Sequence, residues 1–144
     1  METTYHIMGE EEMRRVAGQT ARLLKPGDIV CLYGQLGAGK TTFCQGAIAA
    51  LGVKETVTSP TFTIVHQYRG DRFPVYHFDV YRVHSGEELF EIGYEDYFFG
   101  DGVCFVEWAE LIEELIPENA IRVYLTYSEE EEDGRWMRIE YPGN

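Results

Sequence analysis

Basic residues are scarce in this chain: 12 Lys and Arg stand against 25 Asp and Glu, for a formal net charge of -13. A groove for a phosphate backbone needs clustered Lys and Arg, so this balance speaks against direct nucleic-acid binding. Any role in RNA chemistry would pass through a protein partner. Long apolar runs are missing as well. No stretch reaches the roughly 18 residues that a bilayer span needs, and the charged N-terminus lacks the apolar segment of a signal peptide. A soluble, cytoplasmic protein without membrane association is expected. Cysteine is limited to Cys31, Cys44 and Cys104, each in an apolar stretch and none in a CxxC spacing. A disulfide framework or zinc site is therefore disfavoured, and buried thiols in a reducing compartment fit better. Repeats and linkers are absent too, so the 144 residues read as one domain. A hydrophobic fraction of 44% excludes a disordered chain.

What is present alternates between strand and helix patterns. Met13, Val16, Ala17, Thr20, Leu23 and Leu24 recur at helical spacing within residues 10–25, and Pro26-Gly27 ends that helix. Residues 28–33 form a nearly continuous apolar run, the mark of a strand covered on both faces. A loop over 34–39 leads into a helix over 41–51, closed by Gly52. Residues 61–68 and 73–82 read as strands joined by a turn at 69–72, which would make the sheet mixed. Residues 85–99 read as helical with a break around Gly93, 103–106 as a buried strand, and 107–116 as a helix stopped by Pro117. Two last strands, near 120–127 and 135–141, flank an acidic turn over 129–133 that reads as a solvated loop tip. Together these predict an α/β fold, a three-layer P-loop NTPase-like sandwich around a mixed central sheet.

Residues 34–41 match G-x-x-x-x-G-K-[ST] at every fixed position. A chain of this length meets the pattern by chance on the order of 1% of the time, and the preceding strand and following helix lower that further. Gly34, Leu36, Gly37, Ala38, Gly39, Lys40, Thr41 and Thr42 are the candidate phosphate cradle. Glycines let the backbone N–H groups turn toward phosphate oxygens, and the helix start adds its positive dipole end. Lys40 would reach the β- and γ-phosphates of ATP, and the Thr41 hydroxyl would bind Mg2+.

Such a site needs a carboxylate on a neighbouring strand. Val103-Cys-Phe-Val-Glu107 resembles a Walker B strand with Glu in place of the usual Asp. Glu107 would then be the metal ligand; a carboxylate at the start of the next helix is the plainer reading. Asp79 is the second candidate. Strand alternation puts His77, Asp79 and Tyr81 on one face, so Asp79 could bind the metal through water, orient the attacking water as a catalytic group, or make a hydrogen bond to a nearby loop. His77 could equally be a packed strand histidine.

With these residues in place, the sequence resembles the bacterial TsaE (YjeE) family, the ATPase of tRNA threonylcarbamoyladenosine (t6A) biosynthesis. Beyond the phosphate loop, the resemblance rests on Ser59-Pro-Thr-Phe62, His77-Phe-Asp-Val-Tyr-Arg82, Glu88-Leu89, Ile92-Gly93 and Val106-Glu-Trp108, over roughly residues 10–110. It implies a small ATPase working with two partner proteins, TsaD-like and TsaB-like, that modify adenosine beside the anticodon of tRNAs reading A-starting codons. It also implies that hydrolysis resets the partner complex and that tRNA is met only indirectly. Residues 59–62 would act as a switch loop with Thr61 closest to the γ-phosphate, and Trp108 would sit beside the metal carboxylate. Gln35 departs from the acid common in the family, at a position where backbone atoms bind. Past residue 120 the match is loose, and Glu11 and Arg135 are candidates for the base end of the pocket. Two rivals stay open on sequence alone. A small-molecule P-loop kinase would need an arginine-rich lid, which is not visible; a nucleotide-gated binding module with negligible turnover would need only the same loop.

Overall fold

The computed structural model describes residues 2–35, 37–58, 60, 64–83 and 86–142. Seven strands form one sheet: β1 (Glu2–Met8), β2 (Ile29–Gly34), β3 (Val65–Arg69), β4 (Pro74–Asp79), β5 (Val103–Glu107), β6 (Ile121–Tyr127) and β7 (Gly134–Glu140). Their order is β1-β7-β6-β2-β5-β4-β3. The inner four, β6, β2, β5 and β4, run parallel, while β7, β1 and β3 pair antiparallel at the edges. The mixed sheet expected from the sequence is therefore present. All five residues of β5 and the first five of β2 are buried, as strands covered on both faces must be.

Helices α1 (Gly9–Ala21) and α2 (Lys40–Ala50) cover one face through a core that includes Val16, Ala17, Phe43, Ala47, Leu32 and Phe105. Close approach of this pair depends on Gly46, where a Cβ would stand 2.6 Å from the Arg14 backbone. The other face is covered by α3 (Glu87–Glu91), α4 (Tyr94–Phe98) and a 3₁₀ helix, Ala109–Leu115, around Phe78, Leu89, Phe98, Val106 and Ile112. Three layers result. Among the described residues, no helix is long and apolar enough to cross a membrane.

Several boundaries differ from the sequence reading. Strand β1 was not anticipated. It pairs with β7 over its full length, and only Ile7 of it is buried. The third strand is described from Val65, residues 61–63 of the expected strand lying outside the described residues. Strand β4 stops at Asp79 because its carboxylate accepts the Tyr81 N–H at 3.0 Å, starting a turn. Strand β5 carries on through Glu107, so the expected helix over 107–116 becomes a 3₁₀ helix kinked at Ile112. The helical stretch 85–99 is two short helices separated at Gly93, and the acidic turn is anchored, since His6 lies 3.3 Å from Glu131 and the Asp133 carbonyl accepts the Gly9 N–H.

Candidate nucleotide and metal site

The loop between β2 and α2 leaves the sheet at the carboxyl ends of its parallel strands, where ligands of open α/β sheets sit. Gly37 has φ 80°, a left-handed backbone that favours glycine, and a Cβ there would stand 2.6 Å from the Tyr127 hydroxyl. Ala38 is buried and its N–H donates to the Gln35 carbonyl, which closes the loop on itself. Helix α2 has Gly39 at its N-cap and no capping side chain. Its positive end therefore faces the loop unscreened, the usual arrangement for an anion.

Lys40 folds back over this loop. Its ammonium donates to the carbonyls of Gly34 and Gln35, the latter at 3.1 Å, and lies 3.8 Å from the centroid of the Trp108 ring. Burial pulls the ammonium below its ordinary pKa, while Glu110, Glu107 and Asp79 push it back up. Trp108 can take this place because its backbone is left-handed, φ 63°, which no other described non-glycine residue shares. For a bulky residue that conformation costs about 1–3 kcal/mol and commonly marks a functional position. The half-buried indole also packs against Tyr81, with ring centroids 4.7 Å apart.

Pairing of β4 with β5 puts Asp79 opposite Glu107 and His77 opposite Phe105, so all four share the face that α2 covers. Glu107 is 2% exposed. One carboxylate oxygen, Oε1, accepts the Thr41 hydroxyl at 2.9 Å, and the other, Oε2, lies 2.6 Å from His77 Nε2. The sequence candidates Lys40, Thr41, Glu107, Asp79 and Trp108 are thus gathered at one end of the sheet. Cys44 joins them, its ligand atom within 4.8 Å of those of His77 and Glu107. Burial pushes this thiol well above its ordinary pKa, with the charges of Glu107 and Asp79 adding to the effect. The oxygen donors at this end are those of Thr41 and Glu107.

Asp79 is held above the ordinary carboxylate range, first by burial and then by Glu107, while the Tyr81 N–H, His77 and Lys40 pull it down. On the other side of the loop, Gly37, Gly39, Thr42 and Arg135 line a cleft of about 150 Å³. The sequence did not anticipate its remaining walls, Gly9, Glu10, Met13 and Asp133. Arg135 donates to the Gly37 carbonyl at 3.4 Å and lies 4.4 Å above the Tyr127 ring. Glu11 lines a separate groove with Arg14, Arg15 and Gln45. Leu36 and Thr61 lie outside the described residues, as does most of the 59–62 segment; Pro60 is buried.

Comparison with known proteins gives one family throughout. A family model described as "Threonylcarbamoyl adenosine biosynthesis protein TsaE" matches residues 7–137. Proteins named "tRNA threonylcarbamoyladenosine biosynthesis protein TsaE" are similar in Bacillus subtilis, at 43% identity over 89% of this chain and 80% of the relative, and in Treponema pallidum, at 45% identity over 72% and 76%. A crystal structure titled as Bacillus subtilis YdiB superposes with a TM-score of 0.80 at 36% identity, covering 100% of this chain and 88% of that one.

Proposed function

The chain belongs to the TsaE family of threonylcarbamoyl adenosine biosynthesis proteins, and on that premise we propose that it is the ATP-binding and ATP-hydrolysing subunit of t6A formation in tRNA. The observation that carries the nucleotide reading is Lys40. Its ammonium rests on two loop carbonyls and a ring face, neutral partners that an anionic phosphate can replace. When ATP enters, Lys40 turns to the β- and γ-phosphates, and the N–H groups at the start of α2 face the same oxygens.

A magnesium ion fits the donor set, because Mg2+ takes oxygen ligands and Thr41 Oγ1 and Glu107 Oε1 lie 2.9 Å apart. Thr41 and Glu107 would hold it, and bound there it neutralises charge on the phosphate oxygens. Asp79, on the next strand, accepts a hydrogen from the attacking water or orients it. The cleft beside Thr42 and Arg135 accommodates the nucleoside end.

The acidic surface supports an indirect coupling to tRNA. With a net charge of -13, the chain cannot release counterions from a phosphate backbone as a basic groove does. It acts in the cytoplasm on two partner proteins, docking in the ATP state and releasing after hydrolysis, with residues 59–62 as the segment that senses the γ-phosphate. Docking onto the partner pair, measured with ATP, with ADP and without nucleotide, tests this. Affinity should be highest with ATP and fall with added salt. Identical affinity in all three states, or tight binding of bare tRNA by this chain alone, would overturn the reading.

A further inference from the structure

We infer that His77 is a positioning residue for the metal carboxylate: its Nε2–H holds Glu107 so that the opposite oxygen stays aimed at Thr41. The inference rests on the metal reading above and extends it to a residue outside the phosphate loop. His77 is fully buried, and among the described residues its Nδ1 has no hydrogen-bond partner. Its one directional bond there is the 2.6 Å contact to Glu107 Oε2. A carboxylate that holds a metal accepts only, so in that role of Glu107 the hydrogen of this bond belongs to Nε2 and the imidazole is the donor.

A Glu at this position needs such a hold. Its side chain has one more rotatable bond than the Asp that usually ends a Walker B strand, so its carboxylate can swing through a wider arc. Fixing Oε2 from β4 and Oε1 from α2 removes that freedom before any ligand arrives. A histidine needed only to fill space beside Phe105 and Cys44 would not require a ring nitrogen 2.6 Å from Glu107 Oε2; a phenyl ring would fill it equally well. Groups that orient metal ligands in this way typically affect metal affinity by about 10- to 100-fold.

The test is a titration of a fluorescent ATP analogue, once in excess EDTA and once against increasing Mg2+. His77→Phe should raise the magnesium concentration for half-saturation by about 10- to 100-fold while changing the affinity in EDTA by no more than about twofold. His77→Gln, whose amide reaches the Nε2 position, should restore most of the magnesium response. A folded His77→Phe with an unshifted magnesium response would overturn the inference. So would equal losses with and without the metal, or a His77→Gln variant no better than His77→Phe. If His77→Phe does not fold, His77→Asn replaces it. Its shorter amide cannot reach Glu107, so equal magnesium responses for the Asn and Gln variants would again overturn the inference. Glu107→Gln separates the two levels. If it does not shift the magnesium response, the metal assignment itself fails; if it does and a folded His77→Phe does not, only the role of His77 fails.

Discussion

Two polar clusters sit on opposite faces of the sheet, one residue apart along β2, and they differ in how they balance charge. On the face away from α2, the Tyr33 hydroxyl donates to Glu113 Oε2 at 2.9 Å, and Arg122 donates to both Tyr33 and Glu113. One cation meets one carboxylate, with a phenol between them that burial keeps protonated. This network closes on itself. At the carboxyl ends of the strands, three carboxylates, Glu107 and Asp79 on the α2 face and Glu110 on the 3₁₀ helix, act on the single ammonium of Lys40, which is hydrogen-bonded to backbone carbonyls instead. Here the negative groups outnumber the cation, and its own partners are neutral. A closed network contributes stability; an unbalanced one is ready for a bound cation and the anion that comes with it.

Removing the lone cation should have the largest effect. Lys40→Ala is expected to lower ATP turnover by about 1,000-fold or more, since it deletes the positive side chain proposed above to meet the transferred phosphoryl group. The fold should survive, because the remaining groups are the carbonyls of Gly34 and Gln35, at the mouth of the loop, and an aromatic face. Phosphate release by a variant with an intact unfolding transition checks this. Normal turnover would show that the α2-face cluster is as structural as the one around Arg122.

Asp79→Asn should come next, with turnover slowed by about 100-fold or more and magnesium-dependent ATP binding spared. Asn keeps the Oδ1 acceptor for the Tyr81 N–H, so the turn at the end of β4 is preserved while the charge is lost. Single-turnover rates and nucleotide titrations separate the two effects, and a binding loss as large as the rate loss would reassign Asp79 to the metal. The same variant has a stability signature. Burial holds the Asp79 carboxyl above its ordinary range, so the native state binds this proton more tightly than the unfolded state does. The contribution is fully present below the ordinary carboxylate pKa and is lost as pH rises through the raised value. In the wild type this should appear as a component of stability that falls as pH rises above the ordinary carboxylate range, and Asp79→Asn should remove it.

Sequence reached these two clusters unequally. The phosphate loop, Glu107 and Asp79 were legible because their signals are local: a fixed motif, a four-residue apolar run ending in an acid, and an alternating strand. Each needs only neighbours in the chain to be recognised. Strand β1 gave no such signal, since six of its seven residues are exposed or half-buried and its pairing partner lies about 130 residues away. The cleft walls Gly9, Met13 and Asp133 were missed for the same reason, as that pairing and the Gly9–Asp133 hydrogen bond bring them together. The contact of Lys40 with Trp108 depends on a left-handed tryptophan, a conformation that no pattern of residue types announces. Tyr33, Glu113 and Arg122 escaped because they are far apart in the chain and each is unremarkable alone.

Arg122→Ala should have the smallest effect, and it is the sharpest check on the comparison. Among the described residues Arg122 is the only cation in its network, yet its partner Glu113 is half exposed, so water screens the pair and takes over part of its role. Removing the guanidinium leaves the Tyr33–Glu113 hydrogen bond intact, and no charge is stranded in the core. The loss should be about 1 kcal/mol, the scale of a partly exposed charged hydrogen bond. For a chain of this size that lowers Tm by about 3 °C. Nucleotide binding and turnover should stay within about twofold of the wild type, because Arg122 lies across the sheet from Lys40 and touches none of its partners. Thermal unfolding and phosphate release on the same sample decide the matter. A turnover loss approaching that of Asp79→Asn, with Tm unchanged, would mean that the two faces are coupled through β2 and that the division between a structural and a catalytic cluster is wrong.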